Sequence, residues 1–458
     1  MAGEKGILFC KFGWQAVVVM IILTGTILIP TSLPAASLKV NLEFDVQYNY
    51  STNLDGVDPK LLEPTKASYI NFLVGGGFNY RLRKIELGAK GDVGYTDYLT
   101  AQGKVERLSN IPPSDYNYVR AMANGYIRYI GRLLTVDLTD DIIRTRSLAD
   151  VYGPQTDALT GRFLFTDNVA SVQLRIKPSP KTRLLLKYSY ETLEFSQPEN
   201  PALNFSQPAN SFENRGYFRG EYDLDTQNTV FVDTQGGQRI FLIHEIAGIS
   251  QQLADYNFLV GLLGYKHHFN EHSDIEVEGG AQTRHFFHES NINIKDYTIP
   301  MGRITYTLTK PERYKFTALG EYGTNAYGQN LFFDYATGQV TLQYFFTRKF
   351  NAEVDGTYTR DVFGAVRNDR TNLWKFDRVD NVYLGRAILA WNAIQKRNEP
   401  ILTLKAGYQH TTRDSNLNGP SDFVTPPPPN PKLWTSYNTT IDYYFAEVDF
   451  LPTLLIGH

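Results

Sequence analysis

The sequence predicts an all-β chain, an antiparallel up-and-down transmembrane β-barrel of about eighteen strands with short periplasmic turns and long extracellular loops. Three observations predict it. Apolar and polar residues alternate with period two in one segment after another. The connections between those segments are short and long by turns. The first residues have the layout of an export signal.

The alternation is clearest at TLQYFFTRKFNAEVDGTYTR, residues 341–360. Leu342, Tyr344 and Phe346 alternate with Thr341, Gln343 and Phe345; after Thr347-Arg348-Lys349, Phe350, Ala352, Val354, Gly356 and Tyr358 alternate with Asn351, Glu353, Asp355, Thr357 and Thr359. Side chains on a strand alternate between faces, so this is a hairpin with one oily face and one charged face. By the same pattern strands fall near 42–50, 69–80, 85–96, 117–129, 133–140, 164–176, 183–191, 212–224, 229–234, 256–268, 273–286, 299–308, 313–323, 334–346, 350–361, 380–391, 400–411 and 436–450. Strand 256–268 is unusual in having apolar residues on both faces.

Alternation alone does not say whether the oily face meets a protein core or lipid. Loop order does. Connections after even-numbered strands are short (RLRK, IGR, KPSPK, DTQN, NEHS, TKPER, TRK, AIQKRNE), and those after odd-numbered strands are mostly long and rich in Gly, Pro, Asn and Ser. A soluble sandwich has no reason to sort its loops in this way, whereas an outer-membrane barrel does. Aromatic residues such as Tyr48, Tyr80, Tyr95, Tyr129, Tyr188, Tyr344 and Tyr358 flank apolar middles, as interfacial girdles would.

Residues 1–37 read as a signal peptide: Lys5 and Lys11, an apolar run from Trp14 to Ile29, then Ala35 and Ser37 at the −3 and −1 positions of a cleavage site. The barrel then occupies 38–458. The one cysteine, Cys10, lies in the leader, so the mature chain has no disulfide. After Leu38 no stretch reaches the roughly 20 apolar residues of a membrane helix, so any crossing is by strands. Outer-membrane lipid is therefore the expected partner. A net charge of −3 gives no basic footprint for nucleic acid.

The charged face defines the candidate site. Strands one to three contribute Glu43, Asp45, Glu86 and Asp92 against Lys90. Strands four to eight contribute Arg120, Arg128, Arg175, Arg183, Lys187, Arg215 and Arg219 against Glu191, Glu221 and Asp223. Strands eleven and fifteen add Glu276, Glu278, Glu353 and Asp355. In a closed barrel these charges line the lumen, with a mainly basic wall opposite a more acidic one and a transverse field between them. The alternative is that they pair with neighbours and keep the interior wet.

Signals for catalysis are weak, and no enzyme, cofactor or metal is expected. His267, His268 and His272 gather at a turn without the ordered spacing of a metal site. Gly75-Gly76-Gly77 lies within a strand rather than at a phosphate loop, and no CxxCH for haem attachment is present. Segment 239–253 can form a short amphipathic helix that acts as a lid or lumen constriction, or is an ordinary loop or an extension of strand nine. In the last strand Tyr444, Ala446, Val448 and Phe450 share a face, yet LPTLLIGH follows, and Asp442 falls on the lipid side unless it stands above the bilayer.

The early FDVQYNYSTNL, the TRKF turn followed by AEVDGTYTRD, and the mature length resemble the outer-membrane β-barrel porins of Gram-negative bacteria, in particular the β-barrel porin type 2 family. That resemblance implies a part in polysaccharide export, working with periplasmic export proteins. The alternatives are a general diffusion porin for small polar solutes, or a structural or adhesion barrel whose loops bind partners.

Overall fold

The computed structural model describes residues 36–53, 64, 66–102, 117–146, 164–196, 210–242, 245–246, 249–250, 255–287, 296–327, 330–363, 377–396, 399–416 and 438–456. The leader up to residue 35 and most of the long connections lie outside these residues.

Eighteen long strands carry the fold: β1 (Ala36–Ser51), β2 (Lys66–Leu82), β3 (Ile85–Gln102), β4 (Tyr118–Ile130), β5 (Leu134–Thr145), β6 (Phe165–Ser179), β7 (Thr182–Phe195), β8 (Ser211–Asp223), β9 (Asn228–Phe241), β10 (Asp255–Asn270), β11 (Ser273–Phe287), β12 (Tyr297–Lys310), β13 (Tyr314–Tyr327), β14 (Asn330–Phe345), β15 (Phe350–Phe363), β16 (Arg378–Lys396), β17 (Glu399–Ser415) and β18 (Thr439–Phe450). Each pairs antiparallel with its neighbours in sequence, and β1 pairs with β18, which closes the sheet. Closure leaves no row of unpaired backbone groups, the condition for a sheet to sit in hydrocarbon.

Every expected strand is present, and several run further than the alternation alone indicated. The two shortest, 133–140 and 229–234, become Leu134–Thr145 and Asn228–Phe241. Of segment 239–253 the structure describes 239–242, 245–246 and 249–250, none of them helical. Arg239–Phe241 complete β9, and Glu245–Ile246 pairs with Ile249–Ser250 in a small antiparallel ladder. The last strand is interrupted at Leu451-Pro452 and resumes in unbroken register: Phe44 faces Phe450, and Asn41 to Leu38 then face Thr453 to Ile456. Pro452 has no N–H to donate, but its carbonyl still accepts from Leu42 N at 3.0 Å.

The short turns are built by local chemistry. After β14 the Thr347 hydroxyl accepts from Lys349 N and Phe350 N at 3.1 and 3.0 Å, which turns the chain back into β15. In β2, a Cβ on Gly75 would come within 2.8 Å of the Asp92 Cβ on β3, so only glycine allows this approach.

The oily face points outward. Leu263 is 68% exposed, Leu259 60% and Val354 53%, while the side chains alternating with them turn into the barrel. Exposure on this scale in water would be a large apolar surface without cover; in a bilayer it is the lipid contact. Several tyrosines have rings on this face and hydroxyls on polar neighbours: Tyr188 donates to Asn214 at 2.6 Å, Tyr358 to Asn381 at 2.9 Å and Tyr408 to Asp442 at 2.7 Å. Such half-wet placement is that of an interfacial girdle. The chain is therefore an outer-membrane barrel. Asp442 is on this outward face and is held by two polar neighbours, since His410 Nδ1 also donates to it at 2.8 Å. Charged residues also occur on the outward face: Asp140 and Arg144 stand there on β5, aligned with Gly125 and Ala121 of β4.

Candidate functional site: the lumen wall

Register places Glu43 and Asp45 on β1, Glu86 and Asp92 on β3, and Arg120 and Arg128 on β4, all on the inward face. Arg175 on β6, Arg183 and Lys187 on β7, Arg215 and Arg219 on β8, and Glu353 and Asp355 on β15 share that face. These residues are not scattered. Neighbours on one face are close enough to pair, and most of them do.

The first network spans β3 to β6. Arg128 reaches Glu86 at 3.5 Å and also binds Asp137, which Arg175 approaches at 3.4 Å and Gln173 at 3.3 Å. Asn79 donates to Glu86 at 2.7 Å from the other side. The second network spans β7 to β11. Arg183 donates to Glu221 at 2.7 Å and grips both oxygens of Asp223 at 2.5 and 2.7 Å. Arg219 donates to Glu221 at 2.7 Å, Asp233 at 3.1 Å and Glu276 at 3.1 Å. Above it, Arg215 binds Glu213, and Arg239 bridges Glu213 and Glu191.

On the facing strands Arg386 joins Glu353 at 3.0 Å to Asp355, and Lys405 holds Glu447 at 2.5 Å with Asp449 at 3.6 Å. Lys90 reaches Glu43 at 2.9 Å, and Arg120 donates to the Met122 sulfur at 2.8 Å. Among the described residues Lys187 has no ion-pair partner.

The expectation of a basic wall opposite an acidic one is corrected by this geometry. Asp137, Asp141, Asp167 and Glu213 stand on the inward face among the arginines of β4 to β8, and Arg386 and Lys405 stand among the acids on the other side. Local pairing therefore cancels most of the cross-lumen field. The acids of β5 and β9 were absent from the sequence-based set, although Asp137 and Asp233 have the strand parity of the inward face and could have been found by it. Arg239 lies beyond the expected end of strand nine.

Histidines do not converge. Among the described residues no group of three His, Cys, Asp or Glu side chains has the arrangement of a metal site. His267 is on the outward face beside Asn228, and His272 lies by Glu271 at a turn.

No family model and no curated relative matches the chain. Among solved structures, Acinetobacter baumannii OccAB4 aligns at TM-score 0.47 and 11% identity, over 93% of this chain and all of that one. Acinetobacter baumannii OccAB2 aligns at TM-score 0.47 and 10% identity over 93% and 100% of the two chains. Pseudomonas aeruginosa OccK9 (OpdG) aligns at 0.46 and 10% identity over 92% and 99%. A likeness at this level says nothing of substrate.

Proposed function

We propose that the chain is a diffusion pore for small polar solutes across the outer membrane. The observation that carries this reading is the inward face of a closed eighteen-strand sheet, covered with charged side chains that neighbours hold in place. Barrels of about this strand number enclose an aqueous channel rather than a packed core. Paired charges keep such a channel hydrated while avoiding a single deep trap for ions of either sign. In this reading Glu43, Asp45, Arg128, Arg183, Arg219 and Asp355 are part of the conduit's lining.

Polysaccharide export draws its support from the family resemblance alone, and no observation of the fold adds to it. Liposome swelling separates the two functions. Vesicles carrying the folded barrel should swell in isotonic arabinose or glucose, and swelling should fall steeply from disaccharide to trisaccharide. Free passage of a dextran would favour a polymer conduit instead. An absence of swelling with every sugar would leave the structural or adhesion barrel.

A further inference from the structure

The short turns at the periplasmic end are not alike around the rim. Those joining β2 to β3, β4 to β5 and β6 to β7 carry Arg83, Lys84, Arg132, Lys177 and Lys181 and no carboxylate. All five side chains are exposed. Lys181 Nζ donates to the Leu224 carbonyl at 3.4 Å, and among the described residues none of the five makes an ion pair. Elsewhere on the rim acids are present. Asp223 and Asp225 stand at the turn after β8, and Glu271 at the turn after β10. Glu312, after β12, pairs with Arg348 at 3.1 Å, and Glu399, after β16, pairs with Lys39 at 3.2 Å. Five cations without a counter-charge therefore lie along one arc, from β2 to β7.

Backbone hydrogen bonds fix the spacing of that arc. Ile130 N donates to the Lys84 carbonyl at 2.7 Å, Lys177 N to the Leu133 carbonyl at 2.8 Å and Asp223 N to the Lys181 carbonyl at 2.9 Å, so each turn is tied to the next strand. Neighbouring turns lie two strands, about 10 Å, apart, and long side chains from two turns can reach one group between them. Apolar side chains share the arc. Leu133 is 59% exposed, and Ile85, Tyr129 and Leu134 are exposed on the outward face. The cations thus stand where hydrocarbon gives way to water, the level of lipid headgroups. Clustered cations beside apolar surface fit a ligand with a negative head and an oily body, which an acidic soluble protein is not.

We infer that the β2–β7 turns form a binding arc for anionic phospholipids of the periplasmic leaflet. The cations hold the headgroup phosphate, and the acyl chains lie along Ile85, Tyr129 and Leu134. The inference needs the closed barrel and its oily face but not the pore reading. Native mass spectrometry tests it, with the folded full chain in nonionic detergent micelles titrated with dioleoyl phosphatidylglycerol or dioleoyl phosphatidylcholine. The first phosphatidylglycerol should bind about tenfold more tightly, as one to two interfacial cations provide. Higher salt should shrink that ratio, because screening weakens the charge attraction and leaves the chain contacts.

The triple variant Arg132→Gln, Lys177→Gln, Lys181→Gln should bring the ratio within about twofold of unity, with circular dichroism verifying the fold; Lys177→Gln with Lys181→Gln serves if the triple does not fold. Arg348→Gln, Lys349→Gln, Lys396→Gln, on the arc that holds Glu312 and Glu399, should leave the ratio within about twofold of the parent's. Equal losses in the two triples would overturn a localised arc. Equal binding of the two lipids by the parent chain would overturn the lipid site and leave the arc to an acidic protein. Displacement of bound phosphatidylglycerol by an equal concentration of glycerophosphoglycerol, the headgroup without chains, would overturn the leaflet as the source.

Discussion

Arg219 reaches three carboxylates of the lumen wall, and replacing it with methionine tests whether the networks hold the barrel together. The substitution keeps an apolar stem beside the Phe231 ring, which lies 3.9 Å from the guanidinium carbon, and removes contacts to Glu221, Asp233 and Glu276 on three strands. Hydrogen bonds to charged groups contribute about 1.5–3 kcal/mol each, so the gross loss is about 5–9 kcal/mol. Water recovers part of this, because the Glu221 and Glu276 side chains are 23% and 21% exposed and can be solvated once released. The net loss should be about 2–4 kcal/mol, near the lower end of what breaking a buried pair from one side costs. Urea unfolding in lipid vesicles, followed by far-UV circular dichroism, measures it. Arg348→Met is the comparison: its pair with Glu312 is two-thirds exposed on both sides, and its loss should stay within about 0.5 kcal/mol. An Arg219→Met loss no larger than that would refute the view that the wall networks are structural.

Three further outcomes are expected. Val354→Arg, on the lipid face, should destabilise the barrel by about 2–4 kcal/mol in the same assay, whereas Thr341→Arg, one strand away on the inward face, should cost well under half of that; equal costs would contradict the assignment of faces. Asp140→Leu, which removes an outward carboxylate from between Gly125 and Ala170, should stabilise the barrel by about 1 kcal/mol, and a loss of stability would mean that another protein surface covers this position. Arg386→Gln leaves Glu353 and Asp355 without their cation, so the reversal potential in a salt gradient should move toward cation preference; an unchanged potential would place these carboxylates outside the ion path.

Much of the fold was legible because a membrane barrel has a period-two signal and a loop-length signal that are independent of each other. Leu342, Tyr344, Ala352 and Val354 alternate with Gln343, Glu353 and Asp355, and the short turn at Thr347 has its counterparts after every second strand. Alternation reports the face of a residue but not its partner, which depends on register. That is why Arg175 was read as part of a basic wall, although it reaches Asp137 on the adjacent strand. Segment 239–253 stayed open between helix, loop and strand extension for a related reason: its apolar residues fit both a helical and an extended period, and contacts decide its first residues. Arg239 bridges Glu191 and Glu213, and Phe241 N donates to Asp255 at 2.8 Å, which holds the chain extended. The course of the chain after Phe450 was similarly resolved by pairing, since β1 supplies partners on both sides of Pro452. The apolar inner face of β10 was visible as an anomaly of alternation, but only the fold shows that it packs with Phe241, Phe286 and Met301 from three neighbouring strands.

Conductance in a planar lipid bilayer tests the central claim most directly. The folded barrel should insert and give discrete open steps in potassium chloride without any added ligand, with weak ion selectivity because the wall charges are paired. Inserted, folded protein that never conducts would contradict a water-filled pore.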